Sequence, residues 1–159
     1  MVDTRIEKYL QRAIDLSHRG MEQGIGGPFG CVIVHGDIIV GEGSNQVTSQ
    51  NDPTAHAEVV AIRQACQTLG SFQLTDCEIF TSCEPCPMCL GAIYWARPKA
   101  VYFANSRVDA ADAGFDDSFI YDQINLPVAE RQIPFIAAPM LAAKLVFERW
   151  KQDDEKVTY

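Results

Sequence analysis

The chain has 159 residues, a length that suits one domain on the usual scale of ~100–200 residues. Its hydrophobic content of 47% can supply a core and argues against disorder, while no apolar run approaches the ~18 residues of a membrane span. A formal charge of −8 with no basic run argues against nucleic acid as a partner, because such binding draws on Lys and Arg to neutralise phosphates.

The N-terminal stretch Met1-Val2-Asp3-Thr4-Arg5 carries no signal-peptide pattern, so a cytoplasmic protein is expected. Ile6, Leu10, Ala13, Ser17 and Met21 share one helical stripe, which predicts an amphipathic helix over 4–23, ended by Gly24-Ile25-Gly26-Gly27-Pro28. Cys31 to Val34 and Asp37 to Val40 read as a β-hairpin joined at His35-Gly36. Residues 41–51 read as a polar loop. Asp52-Pro53 then reads as a helix start, with Asp capping and Pro in the first turn. Val59, Ile62, Cys66 and Leu69 form the stripe of that helix, and Gly70 ends it. A short strand over 78–81 leads into a cysteine cluster. A helix over 90–96 stops at Arg97-Pro98, and Ala100 to Ala104 is a buried strand. The stretch 105–130 gives no clear assignment beyond a short helix near 117–124. Ile133 to Ile136 reads as a last strand, confined to an edge by Pro134. Leu141, Leu145, Val146 and Trp150 predict a C-terminal helix, followed by a charged tail. The expected class is α/β: one mixed sheet of about five strands between helices, in a single domain over 1–159.

Two motifs carry the chemistry: His56-Ala57-Glu58 and Pro85-Cys86-Pro87-Met88-Cys89. His56, Cys86 and Cys89 offer three zinc ligands and leave a fourth tetrahedral position open, the pattern of a catalytic site. Two C-x-x-C pairs overlap, Cys83/Cys86 and Cys86/Cys89. The second is favoured, because Pro85 and Pro87 mark a strand-to-helix turn and thiolates are stabilised at a helix N-terminus. Cys83 then reads as a buried thiol at a strand end; the alternative makes it the fourth ligand of a closed structural site, which leaves Glu58 without a role. His56 and Glu58, two apart on a helix, point roughly 200° away from each other. Both serve one site only if that site lies across the helix N-terminus. Zinc there would bring a water near to ionisation at neutral pH, and Glu58 would act as general acid and base. The Gly24 to Gly30 stretch follows a helix and precedes a strand, the reverse of a dinucleotide-binding loop.

The order H-x-E, then P-C-x-x-C, is the signature of the zinc nucleobase deaminases. The resemblance extends to Gly26-Gly27-Pro28-Phe29-Gly30, to Asn51 through Glu58, to Thr81 through Cys89, to Gly91 through Pro98 and to Ala113 through Phe119. With these stretches in order, the chain resembles the bacterial guanine deaminases of the cytidine-deaminase fold, with 128–155 matching loosely. The resemblance implies a three-layer α/β/α fold and Zn2+ at His56, Cys86 and Cys89. It implies Glu58 as proton shuttle, with Asp117 beside it among the catalytic residues. It further implies Asn45, Ala57, Asp117 and Tyr159 as substrate contacts, and Phe29 and Trp95 as walls against the ring. Without it, Asn45 reads as a turn residue, Asp116-Asp117 as a solvated acidic turn, and Phe29 and Trp95 as core.

The implied reaction converts guanine to xanthine and ammonia, with attack at C2 and Glu58 carrying a proton to N3 and then to the departing amine. Guanosine or another amino-azine, and adenosine in tRNA, are the alternative substrates; a zinc-stabilised interaction domain is the non-enzymatic one. The resemblance also implies a homodimer, in which the tail 151–159 crosses to the partner and Tyr159 completes the neighbouring pocket.

Overall fold

In the computed structural model, which describes residues 3–159, Asp3 opens the first helix by accepting from the Arg5 N–H at 2.8 Å. Met1 and Val2, the start of the N-terminal stretch read above, lie outside the described residues. Helix α1 spans Thr4–Glu22. Its buried face is Tyr9, Ala13, Ser17 and Gly20, so the stripe runs slightly to one side of the expected one and leaves Met21 exposed. The hairpin is present as β1 (Gly30–His35) and β2 (Ile38–Ser44). Strand β2 thus continues into the stretch expected to be loop. It is followed by a four-residue helix α2 (Val47–Gln50) and by α3 (Ala57–Leu69).

Helix α3 starts later than expected. Asp52 does cap, but it accepts from Thr54 N and Oγ1 in a turn before the helix, at 2.8 and 2.7 Å. The N-cap is His56. Strand β3 (Cys77–Cys83) leads into α4 (Pro87–Ala96), and β4 (Ala100–Asn105) follows. The region without clear sequence signals contains α5 (Arg107–Asp112), which a Ser106–Asp109 capping box starts, and α6 (Ser118–Asn125).

The sheet order is β2-β1-β3-β4. β1 is antiparallel to β2 and β3, and β3 is parallel to β4, as the intervening α4 crossover requires. Alternation along the strands sends side chains into two cores. Cys31, Ile33 and Ile79 face Ala57, Ala61 and Ala65 of α3 and Ile93 and Ala96 of α4. Val32, Val34 and Phe80 face Tyr9 and Ala13 of α1. Helices therefore cover both faces of a mixed sheet in three layers. On the α1 side the Phe80 ring lies 5.1 Å from Tyr9 and 4.9 Å from Tyr102. On the other side α3 rests on the backbone of β2. A Cβ on Gly43 would stand 2.4 Å from the Ala57 carbonyl, and one on Gly41 2.4 Å from that of Ala61. This contact places the start of α3, and with it His56, at the end of β2 nearest Asn45.

The sheet has four strands among the described residues, not about five. The expected last strand at 133–136 has no regular structure, and Ile133, Phe135 and Ile136 are exposed. Pro134 cannot donate to a ladder, which removes a hydrogen bond from a segment too short to spare one.

The chain divides into two compact units, the first running to Ser118 and the second from Phe119 to Tyr159. In the second, most of α6 is followed by a single 3-10 turn at Val128–Glu130 and by α7 (Leu141–Gln152). The Gln132 N–H donates to Gln123 Oε1 at 2.7 Å, and the Arg131 guanidinium lies over the Phe135 ring. No residue of α7 is buried, although it carries Leu141, Leu145, Val146, Phe147 and Trp150.

Candidate active site

Two helix N-termini converge on one point. Strand β3 ends at Cys83, and Glu84-Pro85 carry the chain to Cys86, the N-cap of α4, held in extended backbone. Pro87 opens the helix, a position where its missing N–H costs nothing. Cys89 closes that first turn and is fully buried. From the other side, His56 caps α3, also with extended backbone, and Glu58 lies in the first helical turn. The change of backbone conformation at His56 lets residues two apart face one site, the condition that the spacing demanded.

His56 Nδ1 lies 3.5 Å from Cys86 Sγ and 3.5 Å from Cys89 Sγ. The three ligand atoms fall within 4.8 Å of one another. Around a tetrahedral zinc, a nitrogen at about 2.05 Å and a sulfur at about 2.3 Å stand about 3.6 Å apart, so this donor set fits the ion. Cys83 is not in the group. Its thiol donates to the Ser106 carbonyl at 3.5 Å, and burial pushes it up to about 11.

The charges are shared unevenly. Cys86 is lowered to about 4, because Cys89 hydrogen-bonds to it and His56 lies against it. Cys89 is pushed up in return, by the adjoining Cys86 and by burial. His56 is raised by the hydrogen bond that it donates to the Cys86 thiolate. Glu58 is buried, and desolvation raises its carboxyl above the ordinary range. Its Oε2 accepts from the Cys89 S–H and its Oε1 from Thr81 Oγ1, both at 3.3 Å.

Asn45 is buried at the end of β2. The Asn45 backbone N–H donates to the Phe29 carbonyl, and its side-chain Oδ1 accepts from the Gly27 and Val47 N–H groups, each at 3.2 Å. These bonds fix which end of the amide is oxygen, so the Nδ2 end is the one left to donate. Gly26 has to be glycine for this seat, since a Cβ there would lie 2.5 Å from Asn45 Oδ1. The Phe29 ring packs against the α3 core and meets Phe115 edge-on at 4.9 Å.

Asp117 is partly buried two residues beyond Phe115. Its carboxyl is raised, first by burial and then by the charge on Cys86. Asp116, by contrast, is exposed and accepts from the Ser118 N–H at 2.9 Å, so it has the role of a turn residue. Ala57 is fully buried as the first residue of α3.

The structure thus brings together His56, Glu58, Cys86 and Cys89, with Asp117 close enough for the Cys86 charge to register. Trp95 is not buried with them. It is 63% exposed, off the buried α4 stripe of Cys89, Ile93 and Ala96. Tyr159 belongs to the second unit and is exposed. Two residues escaped the sequence reading. Thr81 was legible only as a polar residue inside a buried strand, and Phe115 as an aromatic in an acidic, glycine-containing stretch.

Residues 3–105 match the cytidine and deoxycytidylate deaminase zinc-binding region. The chain belongs to this family. Its metal is zinc, the ion that the donor set fits. The chain is 57% identical over 153 residues to a guanine deaminase of Bacillus subtilis strain 168, covering 96% of this chain and 98% of that one. An X-ray structure of guanine deaminase from Bacillus subtilis superposes with a TM-score of 0.94 at 57% identity, covering 96% of this chain and 98% of that chain. A tRNA-specific adenosine deaminase of Aquifex aeolicus is 31% identical over 147 residues, 92% of this chain and 94% of that one. The four-stranded mixed sheet and its flanking helices are those of the cytidine-deaminase-like fold.

Proposed function

We propose that this protein hydrolyses guanine to xanthine and ammonia. The observation that carries the reading is the 57% identity with the Bacillus protein along nearly the whole of both chains. The site supports it. His56, Cys86 and Cys89 hold zinc, which when bound acts as a Lewis acid and makes a water acidic enough to lose a proton near neutral pH. Glu58 would take that proton and deliver it to N3 of guanine as C2 is attacked; it would then take the proton of the new C2 hydroxyl and pass it to the amine as the C2–N bond breaks and the C2 carbonyl forms. Burial serves this role, because a carboxyl raised toward neutrality gives up a proton as readily as it accepts one.

Specificity follows from donors and acceptors. Asp117 accepts from N1–H and from the exocyclic amine. Adenine presents an acceptor at N1, which the same carboxylate repels, and unpaired buried polar groups discriminate strongly. Asn45 offers a donor to an acceptor on the base edge. Ala57 and Phe29 line the pocket, and Trp95 and Tyr159 are the remaining contacts of the reading.

The protein is a cytoplasmic homodimer, in which the tail 151–159 crosses to the partner and brings Tyr159 to its pocket. The exposed apolar side chains of α7 and of 133–136 support a partner surface there. In this reading residues 1–159 work as one domain.

The match to a tRNA-specific adenosine deaminase favours a second reading, against which the charge of −8 counts. Ammonia release from guanine, guanosine, adenine, cytosine and a tRNA anticodon stem-loop decides between them. Guanine should be the best substrate, and Asp117→Asn should impair it by more than any loss of stability explains. A preference for the stem-loop would overturn the substrate and leave the reaction class.

A further inference from the structure

We infer that Thr81 is a positioning residue for Glu58, holding the carboxylate in the orientation from which it moves protons. The inference rests on the reading of Glu58 as the shuttle and adds a residue to it.

Thr81 lies near the end of β3 and is 1% exposed. Strand alternation puts it on the same face as Ile79, which packs toward α3, while Phe80 faces α1. Its hydroxyl is therefore presented to the first turn of α3. Oγ1 stands 3.3 Å from Glu58 Oε1 and 3.4 Å from the Gly30 carbonyl. A hydroxyl has one proton to give. An ionised carboxylate is the stronger acceptor, so that proton goes to Oε1.

Glutamate has three rotatable bonds, and a proton shuttle must keep an oxygen within hydrogen-bond reach of its target. In the structure Oε2 is held by the Cys89 S–H at 3.3 Å. As a metal ligand Cys89 is a thiolate and has no proton to donate. The bond from Thr81 does not depend on that proton. It holds one carboxylate oxygen and leaves the other for the chemistry. Neither the hydroxyl nor its partner is surface-exposed, so water does not readily replace the contact.

The test uses the zinc-loaded enzyme with Thr81→Val, which keeps the β-branched shape and removes the donor. Zinc content and binding of hypoxanthine, which lacks the reacting amine, should stay at wild-type levels. Turnover with guanine should fall about tenfold in kcat with little change in KM, the pattern of an interaction that acts in the transition state. Thr81→Ser should restore most of the loss. In a Glu58→Gln background, Thr81→Val should cost less than about twofold more. The infrared difference between wild type and Glu58→Gln isolates the Glu58 carboxyl band, and Thr81→Val should shift that band.

Equal losses in Thr81→Ser and Thr81→Val, an unmoved band, or a full additive loss in the Glu58→Gln background would each overturn the inference. Should the valine variant fail to fold, Thr81→Ser and Thr81→Ala share the loss of the methyl and differ only in the hydroxyl, so their ratio of kcat gives the same answer. Near-normal turnover in Glu58→Gln overturns the shuttle reading itself. An inactive Glu58→Gln beside a fully active Thr81→Val overturns only the role of Thr81.

Discussion

His56 and Cys86, thirty residues apart in sequence, occupy the same position in their helices: each is the N-cap, and their Nδ1 and Sγ atoms lie 3.5 Å apart. In both cases the extended backbone of the cap turns the side chain off the helix end. The converging N-termini also favour thiolate charge, through free N–H groups and the helix dipole. The zinc site is thus built where two helix N-termini lie side by side.

That arrangement makes the ligand set testable. Alanine at His56, Cys86 or Cys89 should reduce zinc to well below one ion per chain, as read by elemental analysis of purified protein. Cys83→Ala should retain full zinc, because its thiol is turned to the Ser106 carbonyl. Loss of zinc in Cys83→Ala beside full occupancy in Cys86→Ala would show the wrong pair.

Glu58→Gln should fold, keep its zinc and lose activity by about 10²-fold or more, the usual value of general acid–base help. Glutamine preserves the shape and the contact with Thr81 but cannot cycle a proton. Steady-state ammonia release on samples matched for zinc content provides the measurement.

The ion pair between α1 and β2 predicts an acid-sensitive increment of stability. Arg12 Nε and Nη2 donate to Glu42 Oε1 and Oε2 at 2.6 and 2.8 Å, and this bond holds the Glu42 carboxyl below its ordinary value. A depressed carboxyl stabilises the fold above its unfolded pKa of about 4.3, and that contribution fades as pH falls through the lower folded value. Both side chains are partly solvated, so the increment is about 1 kcal/mol or less. Thermal melts of wild type and Glu42→Gln should differ at pH 6 and converge below about pH 4. A gap that persists into acid would assign the difference to packing instead.

Deleting Val157-Thr158-Tyr159 should impair guanine turnover and leave zinc content unchanged. Mixing the Glu58→Gln chain with the tail-deleted chain should restore part of the activity, since the mixed dimer pairs an intact Glu58 with the partner's tail. Mixed dimers that form without rescue would mean that no tail is exchanged.

Local rules explain why so much of this was legible. The capping, periodicity and turn signals of α1, the hairpin, α4 and α7 are contained within a few residues each, and each of the two zinc motifs sits at the start of a helix. The chain by itself therefore determined the α/β class, the ligand types and the need for His56 and Glu58 to meet across a helix end. Tertiary packing decided the rest. Asp52 reads as a helix cap, yet α3 waits for His56, because β2 offers Gly41 and Gly43 as a seat for the alanine face that begins at Ala57. Ile133 to Ile136 has the apolar residues of a strand and no strand partner among the described residues, because Pro134 withholds a donor and pairing is a property of two segments. Thr81 became visible as a neighbour of Glu58 only when β3 and α3 were set against each other, since a hydrogen bond between residues 23 apart leaves no periodicity in the sequence.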